Sequence, residues 1–373
     1  EVLDPFTDHI VREIPGCTDL TSLAVRPIAS AAGAVELAVG GSCTAIDTIP
    51  GTPPPGSGLE PSIAFYQVWR WTGPGAFEPS SGRSAYIGGL ANASVADLKM
   101  DADGSVYATG NVWLPDPADI IPPQDNLNAT LSINSNVFAT TSGVFANGNL
   151  LRAQDIYVRK YARSGAYIFS AVVGGSGNDF AGGIAVDQVG NTFITGDSGS
   201  FNYPRTVGAF DQTIGGEPVV TKISADAARL LFSTGLRHPN ASANKIAVDS
   251  RGNAYIVGIA VKPLVGEGVS LTPVAPFLDG QEAALDTQNA GNLDLDGFLT
   301  VLNSTAIGLI YSSYIGESAS QEFCNDVTVD RTGGCWVSGS TTQYALGPIG
   351  LNGTYLSPLA FKRFANSADG WVF

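Results

Sequence analysis

Apolar and polar residues alternate with a period of two along most of this chain, and the alternating runs come in pairs joined by a short turn. Four pairs share one phrase: LKMDADGSVYATG at 98–110, IAVDQVGNTFITG at 184–196, IAVDSRGNAYIVG at 246–258 and VTVDRTGGCWVSG at 327–339. Alternation on both sides of D-x-x-G predicts a tight β-hairpin. Asp suits the first turn position because its carboxylate accepts backbone N–H bonds, and Gly supplies the φ > 0 that the turn requires. The predicted turns are Asp101–Gly104, Asp187–Gly190, Asp249–Gly252 and Asp330–Gly333. Each copy also carries an aromatic residue and a closing Gly.

The stretch after each hairpin repeats as well. A connection of variable length leads to a second strand pair: IYVRKYARSGAYIFSAVV (156–173), VVTKISADAARLLFSTG (219–235) and FLTVLNSTAIGLIYSSYIG (298–316). An earlier version begins with IAFYQVWRW at Ile63, and a late one, LAFKRFANSADGWVF, reaches the last residue. A weaker first hairpin, LAVRPIASAAGAVELAVG at 23–40, lacks the D-x-x-G turn. The expectation is an all-β, single-domain propeller over 1–373, with five four-stranded blades near 17–90, 91–175, 176–240, 241–318 and 319–373. The unit exceeds the roughly 40–45 residues of a compact blade, the excess lying in inserts at 111–155 and 259–295.

The run YARSGAYIFSAVVGGSGNDFAGGIAVDQVGNTFITGDSGSFNYPRTVGAF at 161–210 resembles the SBBP-type β-propeller repeat. It has the lysine strand before it, the glycine pair ahead of an acidic loop, the I-A-V-D-x-x-G-N turn and a Pro-then-Gly-Ala-Phe tail. Gly334 departs from the pattern, standing where the turn has Asn. The resemblance implies an extracellular propeller of a family whose members usually serve as surface or interaction modules. It carries over no catalytic residue, because the motif is structural.

Composition narrows the function. Six lysines and a net charge of −15 argue against nucleic acid or an anionic membrane surface as partner, since phosphate contact needs a basic face. The sequence has no apolar run of about 18 residues that would span a bilayer. A start at Glu1 without Met is expected of a processed protein or a fragment.

Cysteines and sequons bear on the compartment. A first hairpin turning near residue 30 sets Val25 against Val35 and Cys17 against Cys43, a spacing at which a disulfide forms after modest adjustment. The alternative is two buried free thiols. Cys324 and Cys335 flank the last hairpin without being opposite, so a bridge between them needs a bulge. Asn92, Asn128, Asn240, Asn303 and Asn352 head N-x-[ST] sequons in predicted loops or strand ends.

Three motifs imitate chemistry. Gly196-Asp-Ser-Gly199 resembles a serine-nucleophile loop, yet it is the closing Gly of a repeat, and the mechanism also needs a His base and an Asp behind it. Gly174-Gly-Ser-Gly177 lacks the Lys and following helix of a phosphate cradle. Asp101/Asp103 and Asp294/Asp296 have partial calcium-loop spacing without a Glu at the twelfth position; Asp101 is a turn residue, whereas Asp294 and Asp296 fall in an insert and remain cation-ligand candidates.

Tyr107, Phe193, Tyr255 and Trp336 occupy one repeat position and are expected to pack between blades, as are Leu98/Met100, Ile184/Val186, Ile246/Val248 and Val327/Val329 on the adjoining strand. The ring is expected to close by residues 9–16 pairing beside a last-blade strand at 359–364, with Trp371–Phe373 as the rival outer strand. The functional expectation is a non-catalytic extracellular scaffold or adhesion module without cofactor, binding other subunits or surface components, in an oligomer or filament. Two alternatives stay open: a carbohydrate- or ligand-binding propeller working through 111–155 and 259–295, and an enzyme with channel carboxylates.

Overall fold

The computed structural model describes residues 17–28, 33–43, 63–73, 77–87, 92–113, 146–147, 153–211, 217–236, 241–261, 295–315, 321–330, 333–341 and 369–372. The expected closing strand at 9–16, its partner at 359–364, the bulk of both inserts, and Asn128, Asn240, Asp294 and Asn352 lie outside them. Every regular element among the described residues is a β-strand, and all pair antiparallel in five sheets.

The first sheet runs β1 (Cys17–Pro27), β2 (Val35–Cys43), β3 (Ile63–Trp71), β4 (Phe77–Ile87), each strand beside the next. In the second, β5 (Asn92–Ala93) and β6 (Asp97–Met100) both pair with β7 (Val106–Trp113) as one interrupted strand. Two short edge residues, β8 (Ala146–Asn147), come next, and then β9 (Gln154–Tyr161) and β10 (Tyr167–Val173) complete that sheet. The third is β11 (Asp179–Val186), β12 (Thr192–Ser198), β13 (Glu217–Ile223), β14 (Leu230–Gly235). The fourth is β15 (Ala241–Val248), β16 (Ala254–Val261), β17 (Leu295–Leu302), β18 (Leu309–Ile315). The last is β19 (Glu322–Val329), β20 (Cys335–Thr341), β21 (Asp369–Val372). β20 is thus flanked by 369–372, which include two residues of the stretch Trp371–Phe373 that was expected either outermost or leading into a following domain.

The chain divides into two compact units, Glu1–Val172 and Val173–Phe373. In the first, Ala24, Ala38, Tyr66 and Val68 of the first sheet pack with Val95, Leu98, Val106 and Tyr157 of the second. In the second unit, Phe193 and Phe232 of the third sheet meet Ile246, Ile256 and Phe298 of the fourth. Val257 and Tyr255 of the fourth sheet in turn meet Cys324, Val327 and Val337 of the last.

All four D-x-x-G turns form as the repeat predicts. The N–H of each Gly donates to the carbonyl of its Asp at 3.0–3.1 Å, and the four glycines have φ between +84 and +93. One carboxylate oxygen caps the far side of each turn, accepting the N–H of Ser105, Asn191, Asn253 or Gly334 at 2.8–2.9 Å. The other oxygen takes the Asn191 or Asn253 side-chain amide at 2.8 Å. In the last turn, where Gly334 replaces that Asn, Asp330 accepts the Trp336 indole N–H at 3.2 Å instead.

The closing Gly has a separate cause. In every sheet the first strand carries an extra residue opposite the second: Thr21, Gly182, Asn244 and Asn325, with the break between β5 and β6 at the same place. The bulge swings a first-strand carbonyl over the partner residue. A Cβ on Gly41, Gly110, Gly196 or Gly258 would collide with the carbonyl oxygen of Asp19, Ser94, Phe180 or Ser242 respectively. The bulge residue then reaches the next sheet. Thr21 Oγ1 donates to the Val95 carbonyl at 2.6 Å and Asn244 Nδ2 to the Cys324 carbonyl at 2.9 Å, while Gly182 lies so close to the Ala243 carbonyl that a Cβ does not fit.

Bulges also correct the expected first-hairpin register. Pro27, not Val25, faces Val35, and the Ile28 N–H continues this register onto the Ala34 carbonyl. Two extra residues on β1 restore the offset, so Cys17 does face Cys43. A second correction concerns Trp336, which is 42% exposed where Tyr107 and Phe193 are fully buried and Tyr255 is half-buried. On the adjoining strand Leu98, Ile184, Ile246 and Val327 are buried as expected, while Met100, Val186, Val248 and Val329 are only half-buried, and Leu23, which pairs with Val39 in that register, is 57% exposed.

Gly196→Ala and Gly258→Ala are each expected to destabilise by about 2–4 kcal/mol, the cost of forcing a methyl into a packed backbone. Gly308→Ala, whose new Cβ meets only ordinary contacts, is expected to stay within about 0.5 kcal/mol. Urea unfolding midpoints of the three variants check this.

Candidate functional site

The two imitation motifs meet around one carboxylate. Asp179 opens β11 opposite Ser198 of β12 and is fully buried. Its Oδ1 accepts the Ser198 hydroxyl at 2.5 Å, and its Oδ2 accepts the Ser200 hydroxyl and the Gly175 N–H, each at 2.7 Å. The Ser200 oxygen accepts the Gly177 N–H at 2.8 Å, and the Asn202 side chain accepts the Ser176 N–H at 2.7 Å. Both buried serines donate to one buried carboxylate, which fastens the chain segments 174–179 and 196–202.

That fastening forms the base of the connection between the second and third strands of this sheet. Beyond it, residues 203–211 run along β14: the Thr206 N–H donates to the Ser233 carbonyl at 3.0 Å and the Gly235 N–H to the Asp211 carbonyl at 3.1 Å. Tyr203 is buried, shares a hydrogen bond with Thr221 and lies under the Arg205 guanidinium. Phe201 and Val207, by contrast, are 77% and 98% exposed. The connection is anchored at several points and presents two bare apolar side chains to solvent. The inserts occupy the same step of their own sheets, between β7 and β9 and between β16 and β17. Of the inserts, 111–113, 146–147, 153–155, 259–261 and 295 are described, all but Ala153 within strands.

The first unit holds a charged cluster that period-two reading cannot reveal. Glu36 of β2, buried, accepts Arg26 at 2.6 Å through Oε2, and Arg83 at 2.8 Å and Arg163 at 3.2 Å through Oε1. Two further guanidinium donors reach the 102–104 turn: Arg26 to the Ala102 carbonyl at 3.0 Å and Arg83 to the Gly104 carbonyl at 2.6 Å. Burial works to raise the Glu36 pKa, but the hydrogen bonds and charges of Arg83 and Arg26 outweigh it and hold the carboxyl below its ordinary value of 4.5. The cluster ties β1, β2 and β4 to the first D-x-x-G turn.

Other predicted residues resolve individually. Asp296, a cation candidate placed in an insert, lies within β17 opposite Ala260 and is buried, so it belongs to the sheet. Among the described residues, no group of three or more His, Cys, Asp or Glu is placed to hold a metal ion. Asn92 sits in β5, and Asn303 opens the β17–β18 turn, its side-chain oxygen accepting Thr305 and the Ile307 N–H. Cys324 and Cys335 are free thiols, correcting the suggested bridge: the bulge on β19 sets Cys324 against Gly339 and Cys335 against Val329. Burial pushes the Cys335 thiol up to about 12 and raises that of Cys324, so neither is a ready nucleophile at neutral pH.

Residues 168–204 match the family described as Beta-propeller repeat, SBBP. The match is confined to that stretch. It spans β10 through the Asp179 fastening and stops just past Tyr203, so the repeat's polar signature and this site coincide. No curated protein matches the chain. Solved structures similar in fold include a gluconolactonase from Xanthomonas campestris, at 12% identity and TM-score 0.32, over 74% of this chain and 65% of that one, just under two thirds of its length. Kuenenia stuttgartiensis hydrazine synthase is similar at 9% identity and TM-score 0.39, over 90% and 79%. A mannose phosphorylase from Leishmania mexicana is similar at 12% and 0.39, over 88% and 81%.

The Glu36 cluster predicts an acid-side stability loss. With a depressed native pKa, its contribution is present above pH 4.5 and fades as pH falls through the native value. Glu36→Gln is expected to lower stability at neutral pH and to flatten that acid slope, as measured by unfolding midpoints across pH. Thiol alkylation of the unfolded, unreduced protein is expected to label Cys324 and Cys335 and to spare Cys17 and Cys43, which the β1–β2 register places for a disulfide.

Proposed function

We propose that this chain is a non-catalytic extracellular β-propeller of five blades, an adhesion or protein-interaction module of a cell-surface or filament assembly. The observation that supports this reading is the division of labour in the third sheet. Its chemistry-bearing side chains, Asp179, Ser198 and Ser200, are consumed in fastening the fold, while Phe201 and Val207 are held exposed on the connection above them. Apolar side chains held on an anchored loop are the usual anchors of a protein interface. The net charge of −15 favours partners with neutral or basic surfaces and keeps the domain soluble. A disulfide at Cys17–Cys43 and sugars at accessible sequons fit an extracellular setting.

The carbohydrate-binding reading rests on the inserts at 111–155 and 259–295, which occupy the same step of their sheets as the exposed connection. The test is localisation followed by a surface variant. Antibody labelling of intact producing cells is expected to find the protein outside. Phe201→Ser combined with Val207→Ser is expected to leave the unfolding midpoint unchanged and to reduce retention at the surface at least several-fold. Retention unaffected by that variant but lost in excess free sugar would favour the carbohydrate reading. A purely cytoplasmic protein would overturn the proposal.

A further inference from the structure

Hydrogen-bond donors gather in the core of the first unit without acceptors among the described residues. Tyr66 of β3 and Tyr161 of β9 are buried, as is Arg83 of β4, and Tyr167 of β10 is half-buried. The Oη atoms of Tyr66 and Tyr167 and the Nε of Arg83 are shut off from solvent and have no hydrogen-bond partner. The Tyr161 oxygen accepts Arg159 Nη1 at 3.4 Å, which leaves its own proton to donate elsewhere. These groups lie close together. The Tyr66 and Tyr161 rings stand 4.5 Å apart, the Tyr161 and Tyr167 rings 6.2 Å apart, and the Arg159 guanidinium lies 5.7 Å over Tyr167. Arg83 comes two residues before Ala85, which pairs with Tyr66, and so projects from the same face of the first sheet. Its charge acts on the Tyr66 hydroxyl.

We infer that this seam between the first and second sheets is a binding site for a single-atom anion, chloride, held by Arg83 Nε–H and the hydroxyls of Tyr66, Tyr161 and Tyr167. Buried donors left unpaired cost stability, and one anion accepts from all of them at once. A water in the same place would bring two further protons that need acceptors of their own. Charge favours the same ligand. Arg26, Arg83 and Arg163 share the single Glu36 carboxylate, a local surplus of positive charge in a chain whose net charge is −15. Burial raises the pKa of Tyr66 and of Tyr161, so both hydroxyls keep the protons they donate. The three rings already pack on one another, so the space at their tips suits one atom and not a phosphate. Bound there, the anion fastens β3 and β4 of the first sheet to β9 and β10 of the second.

Crystals grown without chloride and soaked in sodium bromide test the site. An anomalous bromide peak is expected within hydrogen-bond reach of Arg83 Nε and Tyr66 Oη, and Tyr66→Phe combined with Tyr167→Phe is expected to abolish it. In solution, sodium chloride replaces sodium gluconate at constant ionic strength. The thermal midpoint of the unmodified protein is expected to rise saturably, by roughly 2–4 °C, and that of the double variant to stay within about 0.5 °C. Without chloride the double variant is expected to be at least as stable as the unmodified protein, because it keeps the rings and removes two unpaired hydroxyls. Water density at the site with no bromide peak overturns the inference. So does a chloride shift as large in the double variant as in the unmodified protein.

Discussion

A single backbone constraint organises each of the first four sheets. An extra residue in the first strand displaces one carbonyl toward the second strand, and only a residue without Cβ tolerates the approach. Gly41, Gly110, Gly196 and Gly258 all stand beneath such a carbonyl. The displacement also turns the bulge residue outward, where Thr21 and Asn244 reach the next sheet's backbone. Asp197, one residue past its closing Gly, answers from the second strand by accepting the Ser242 hydroxyl and the Ala243 N–H. Sheet geometry and sheet-to-sheet attachment thus arise from one local irregularity. That explains why the chain keeps a Gly in the middle of a strand, where it otherwise weakens pairing.

Much of this is legible in the residues because it rests on local rules. Strand periodicity and the D-x-x-G turns depend on residues a few positions apart, so the phrase at 184–196 announces its own hairpin. The closing Gly is visible as a recurring letter, but its cause is not, since the carbonyl above it comes from a bulge that leaves no mark on period two. The first hairpin shows the consequence: the facing of Cys17 and Cys43 can be anticipated, while the intermediate register is off until two bulges restore it. The Glu36 cluster is out of reach for another reason. Arg26, Arg83 and Arg163 converge from distant stretches of sequence, and nothing in any one of them marks the others. Trp336 illustrates a third limit, because equivalence of repeat position does not by itself fix how deeply a side chain is buried.

Taken as chemistry, Gly196-Asp-Ser-Gly199 and Gly174-Gly-Ser-Gly177 each suggest a reactive loop. Together around Asp179 they make a fastening whose every donor ends on an acceptor inside the protein. Buried polar networks of this kind confer specificity of structure when fully satisfied. Here the network secures the base of a connection whose length varies between sheets, so the framework is kept while the connections diverge. That is the arrangement expected where binding is delegated to loops on a rigid scaffold.

Amide hydrogen exchange on the intact protein addresses this division most directly. The account predicts the slowest exchange in 179–198 and 241–261, where bulge and turn coincide, and fast exchange at Phe201 and Val207 on the connection that the Asp179 fastening supports. Exchange equally slow along the connection, or fastest in the bulged strands, would contradict it.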